Sequence, residues 1–173
     1  MFRSPILDPR PRAILVCIAE RRRPREPRPT RKPGALETAG ARLLRRWEAA
    51  GLPTVFVERD LALERADSVG AAAGEPSLLR AEAPSLLRDA GFLRLFEGLG
   101  GPLLILLGDA LGDLALETAI DGFLAGHPII VVKDASPSPL DGEEESAAAL
   151  PLLSCFARLM GAEELAREWT GVD

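Results

Sequence analysis

The stretch LLILLGDALGDLALETAIDGFLAGHPIIVVKDA, residues 103–135, decides the architecture. After Pro102 it opens with Leu103-Leu104-Ile105-Leu106-Leu107, a short apolar run bounded by turn residues. That is the pattern of a strand buried on both faces. Gly108-Asp109-Ala110-Leu111-Gly112-Asp113 reads as the turn that follows. Residues 114–125 read as a helix with Leu116, Ala119, Ile120, Phe123 and Leu124 facing inward, stopped by Gly126-His127-Pro128. Ile129-Ile130-Val131-Val132 is a second buried strand, left through Lys133-Asp134-Ala135-Ser136. Strand, helix and strand with wholly apolar strands form one crossover unit of a parallel sheet.

The same reading extends in both directions. Residues 13–19, Ala-Ile-Leu-Val-Cys-Ile-Ala, are another buried strand, and residues 1–12 before them are Pro- and Arg-rich and extended. Residues 20–33 hold Pro24, Pro27, Pro29 and Pro33 among seven arginines and lysines, which predicts an exposed loop rather than a helix or inner strand. Leu36, Ala39, Leu43, Leu44, Trp47 and Ala50 recur at helical spacing, with Gly51 and Pro53 as stop signals before the strand Thr54-Val55-Phe56-Val57. Residues 58–76 read as loop. A weak strand falls within 78–85, and Ser85 is the expected N-cap of a helix running to Leu99. Residues 143–169 predict two helices parted near Gly161, with a faint sixth strand at 159–162. The expectation is a single α/β domain over residues 1–173, three layers α-β-α, with a mostly parallel sheet of five to six strands.

Composition narrows the function classes. The chain has 173 residues, 47% hydrophobic and 27% charged, enough to build one core. No apolar run reaches the ~18 residues of a membrane span, and the first residues lack an apolar signal core. Two cysteines do not make a disulfide framework. A cytoplasmic location with no membrane partner is the expectation. Net charge is −5, but residues 1–33 carry +7 and the remainder −12. The arginine-rich stretch has no interleaved aromatics to stack bases, and an acidic body repels phosphate, so nucleic acid is not an expected partner.

Taken in order, these segments resemble the isochorismatase-like cysteine hydrolase family. Residues 13–20 resemble its first strand, usually A-L-L-V-I-D-M-Q. Residues 43–57, LLRRWEAAGLPTVFV, resemble its first crossover helix and second strand. Thr118-Ala119-Ile120-Asp121 sits where the family carries T-A-R-D, and residues 126–135 sit where it carries G-Y-x-V-x-V-V-x-D-A. The resemblance implies a hydrolase fold, a homo-oligomer (dimer or tetramer), and an Asp-Lys-Cys triad in which a thiolate attacks. At the matching positions this chain has Ile18 for the Asp and Leu114 for the Cys. Arg80 is the basic residue nearest the Lys, and an Arg does not cycle a proton at neutral pH.

Other residues compete for a functional role. Cys17 neighbours Ile18 on a strand and so faces the opposite side; Cys155 lies in an apolar helical stretch, and both read as buried structural thiols. His127 stands at the amino end of a strand, the wrong edge for catalysis. At the carboxyl edge, Glu20, Asp109 and Asp113 are three carboxylates able to hold a cation or share a proton, or merely to cap the helix near Leu114. Arg21 and Arg22 are candidates to clamp an anion. The favoured expectation is a family homologue without cysteine-hydrolase activity, binding a small anionic or apolar ligand or acting as a scaffold, with no metal and no cofactor. The alternatives are a hydrolase with a relocated acidic or metal-assisted site, and an oligomeric assembly protein whose arginine loop docks on an acidic surface.

Overall fold

The computed structural model describes residues 12–21, 39–60, 78–81, 83–108, 113–135 and 143–170. Six parallel strands form one sheet in the order β3-β2-β1-β4-β5-β6: β1 Ala13–Arg21, β2 Thr54–Asp60, β3 Leu78–Ala81, β4 Leu103–Gly108, β5 Ile129–Val132 and β6 Arg158–Met160. The helices are α1 Ala39–Ala49, α2 Ala90–Gly98, α3 Asp113–Ala125, α4 Glu143–Phe156 and α5 Ala162–Thr170. This is the expected three-layer α/β fold.

The two sheet faces carry separate cores. Strand alternation sends Ile14, Val16 and Ile18 to one side and Ala13, Leu15 and Cys17 to the other. The first side packs against α2, α3 and α4 through Phe92, Phe96, Leu114, Ala115, Ala119 and Leu153. The second packs against α1 and α5 through Leu43, Trp47, Leu165, Ala166 and Trp169. Trp47 is fully buried and its Nε1 donates to the Pro53 carbonyl at 2.9 Å, fixing α1 to the entry of β2.

Several boundaries differ from the sequence expectation. β1 and β2 run on through Arg21 and Asp60, where loop was expected, because each extension finds a ladder partner in the other. Residues 22–33, the rest of the expected Arg/Pro loop, lie outside the described residues. Ser85 caps a single 3-10 turn, Leu86–Arg88, and α2 after it is capped by Asp89, whose carboxylate accepts from the Gly91 and Phe92 amides at 2.9 Å each.

The largest difference is the rotation of α3. Its buried stripe is Leu114, Ala115, Thr118, Ala119 and Gly122, while Phe123 is 59% and Leu124 76% exposed. A helix apolar nearly all round does not select its inner face by period alone. Close approach to the sheet selects it instead. A Cβ on Gly122 would collide with the Ile129 side chain, so the small residues lie inward and the large ones turn out.

Candidate functional site

The strand order reverses between β1 and β4: the chain builds outward from β1 to β3, then restarts at β4 and builds the other way to β6. The helices that follow β1 and β4 pack on opposite faces of the sheet, so the carboxyl end of this seam is the switch point at which open α/β sheets bind ligands. Ile18 and Gly108 are register partners at that end. Gly108 has φ +144°, and a Cβ there would coincide with the Ile18 carbonyl. Only glycine lets the two strands end this close together.

The floor of the seam is hydrocarbon. Ile18 is 4% exposed and Leu114, in the first turn of α3, is fully buried. Both belong to one cluster with Val57, Leu106, Val131 and Leu153. Leucine and isoleucine supply neither a nucleophile nor a proton acceptor.

The rim is charged and arranged in register. Glu20 of β1 stands opposite Arg59 of β2, Arg21 opposite Asp60, and Glu58 opposite Arg80 of β3. The sequence reading singled out Glu20, Arg21 and Arg80 but missed Glu58, Arg59 and Asp60. The signal was available: Ala19-Glu20-Arg21 and Val57-Glu58-Arg59-Asp60 both continue an apolar strand with alternating charge. Asp113 is the first residue of α3, while Asp109 and Arg22 lie outside the described residues. Among the described residues no three His, Cys, Asp or Glu gather as metal ligands.

The cysteines divide. Cys17 packs on the α1–α5 side, away from Ile18, and burial, with a contribution from Glu48, pushes its thiol up to about 12. It is a protonated thiol at neutral pH and a poor nucleophile. Cys155 corrects the expectation of burial: it is exposed near the end of α4, where the solvent-facing side of the helix carries it. His127 lies just before β5, its ring edge-on to Phe96 with centroids 4.9 Å apart. It is at the far end of the sheet from the seam.

A polar cluster beside the floor was also missed. Thr118 and Ser85 are fully buried. Thr118 Oγ1 accepts the Leu86 amide at 3.0 Å, Ser85 Oγ accepts the Leu87 amide, and Arg88 donates to Asp121 at 2.6 Å. The Arg88 guanidinium holds the Asp121 carboxyl below its ordinary range, with Ser85 helping. The cluster ties the 3-10 turn to α3 and so fixes the helix that carries Leu114. Thr118 and Asp121 are two of the four residues of the family-like T-A-I-D stretch.

No protein-family description matches this sequence, and no curated protein matches it. Solved structures do. A protein from Chromobacterium violaceum classed as a hydrolase of the isochorismatase family superposes with a TM-score of 0.69 at 17% identity, over 99% of this chain and 100% of that one. An isochorismatase-like hydrolase from Alkaliphilus metalliredigens gives 0.64 at 18%, over 92% and 98%. The YcaC gene product of Escherichia coli, described as an octameric hydrolase of unknown specificity, gives 0.62 at 16%, over 90% and 78%. The chain therefore has the isochorismatase-like fold.

Proposed function

We propose that this chain is a non-catalytic homologue of the isochorismatase-like hydrolases, a small-ligand binding or scaffold protein that works as a homo-oligomer. The observation that carries the reading is the hydrocarbon floor. Ile18 and Leu114, the positions the family resemblance matches to its Asp and Cys, are buried in one apolar cluster. Neither cysteine replaces the missing thiolate. Cys17 is protonated and faces the other core, and Cys155 lies near the C-terminal end of α4, which the chain connection places at the amino end of the sheet. An apolar floor beside charged strand ends suits a small molecule with a hydrocarbon body and an anionic head.

The test pairs turnover with binding. Purified protein at high concentration is expected to leave simple amides, esters and vinyl ethers unhydrolysed, and iodoacetamide is expected to label Cys155 but not Cys17. A small apolar acid at 100 times its Kd stabilises the fold by about 2.7 kcal/mol, a rise of roughly 5–11 °C in Tm for a domain of this size. Turnover abolished by a single change at Ile18 or Leu114 overturns the reading. Turnover abolished by a chelator and by Asp109→Asn or Asp113→Asn replaces it with the relocated acidic site.

The homo-oligomer part draws support from the octameric neighbour of the same fold. Light scattering tests it directly: a mass at least twice the 18.5 kDa of one chain is expected.

A further inference from the structure

The outer face of α3 and α4 is unlike the rest of the described surface. Phe123 is 59%, Leu124 76% and Leu152 53% exposed, the large hydrophobic side chains that stand out most from the described residues. Phe123 also meets Phe156 edge-to-face, with ring centroids 5.7 Å apart, so the two helices present one continuous apolar surface. Both helices run back from the carboxyl edge to the amino edge of the sheet, and the patch lies on their C-terminal halves, at the end away from the Ile18–Gly108 seam.

We infer that this α3–α4 face is where two copies of the chain meet, Phe123, Leu124 and Leu152 of one packing on the same residues of the other. The inference rests on the homo-oligomer reading above and names its surface. Three observations select a second copy as the occupant. First, the patch is uncharged: residues 122–126, GFLAG, and 150–157, LPLLSCFA, contain no ionisable side chain other than the Cys155 thiol. A charged peptide or a nucleic acid finds nothing to read there, and a membrane-surface helix carries basic residues flanking its apolar side, which these stretches lack. Second, an ion pair within the chain, Asp121 with Arg88, borders it. An apolar centre inside a polar rim is the anatomy of a subunit interface. Third, the size fits. Side chains at these exposures leave on the order of 300 Å² of hydrocarbon. Doubled across a two-fold axis this forms the apolar centre of a standard interface of about 1,600 Å². Two adjacent helices running in the same direction also form a flat ridge that a two-fold makes self-complementary.

The experiment is multi-angle light scattering on the full chain at tens of micromolar, with circular dichroism to confirm that each variant is folded. The variants are Phe123→Glu, Leu124→Glu and Leu152→Glu, each at an exposed position where the single chain tolerates a charge. The expected result is a wild-type mass at least twice 18.5 kDa, unchanged in 1 M salt, falling to 18.5 kDa in all three variants, Leu152→Glu showing that the second helix takes part. A wild-type oligomer that all three variants leave intact overturns the inference while sparing the homo-oligomer reading. An oligomer that dissociates in salt and ignores the variants assigns assembly to the arginine-rich stretch and likewise overturns it. A wild-type monomer overturns both. If that monomer self-associates once residues 1–11, with Phe2, Ile6 and Leu7, are deleted, the patch is covered by the chain's own N-terminus.

Discussion

On one side of the sheet, α1 and α5 turn charge outward and tie it down. Arg42 and Arg46 both reach Glu163, at 3.3 and 2.8 Å, and Arg158 lies 3.7 and 3.6 Å from Glu164 and Glu168. On the other side, α3 and α4 turn Phe123, Leu124 and Leu152 outward. Beneath these surfaces the two layers are alike, each with strand side chains and fully buried helix residues filling a core. The difference is in what each outer surface is finished for. Charged residues in exchange with water complete the first layer as it stands. Exposed hydrocarbon on the second gains only when something covers it.

The comparison is tested most severely inside the cores, where the two layers should respond alike. Trp47→Ala removes the largest fully buried side chain of the α1–α5 layer together with its hydrogen bond to Pro53. Chemical denaturation should register a loss of about 3–5 kcal/mol, and Leu153→Ala in the opposite layer about 2–5 kcal/mol. Were either to cost under about 1 kcal/mol, that layer would not be a close-packed core.

The next effect separates the layers. Thr118→Val keeps the shape of the side chain but removes the acceptor for the buried Leu86 amide, so about 1–3 kcal/mol of stability should go. The α1–α5 layer is pinned elsewhere, by the Ala162 amide donating to Asp134 Oδ1 at 2.8 Å, while its exposed ion pairs are expendable, so Arg42→Met should be nearly silent. A loss much below 1 kcal/mol in Thr118→Val would mean that the turn at Leu86–Arg88 is held to α3 by packing alone.

What the sequence disclosed follows the same division. The inward face of α1 was legible because Leu43 and Trp47 alternate with Arg42, Arg45, Arg46 and Glu48, and water sorts such a helix. The face of α3 was not, because Leu116, Ile120, Phe123 and Leu124 offer hydrocarbon in several directions. Only the contact of Gly122 with Ile129 sets its rotation, and that is a tertiary fact. Four of the six strands were legible as apolar runs, β3 and β6 only faintly, and the charged ends of β1 and β2 not at all. Glu20 and Arg21 beside a proline-rich segment read as loop until Arg59 and Asp60 are known to lie opposite them. At the seam, the hydrocarbon at positions 18 and 114 was visible from the family-like spacing. The glycine contact that brings β4 against β1 was not, since it depends on two segments ninety residues apart.

The smallest effect sharpens the account of the charged layer. Arg42, and with it Arg46, holds the Glu163 carboxyl below its ordinary range. A carboxylate whose pKa is lower folded than unfolded favours the folded chain at neutral pH. That contribution is complete above the unfolded value of about 4.3 and disappears as pH falls through the lower folded value. Glu163→Gln should therefore lower Tm slightly at pH 7, the difference shrinking as the solution is acidified below about pH 4. It should also shrink in 1 M salt, because both arginines and the glutamate stand partly in water. The mass by light scattering should not change. A Glu163→Gln protein that dissociated while Leu124→Glu remained assembled would exchange the roles of the two layers, placing the subunit contact on the ion-paired helices and leaving the apolar face open.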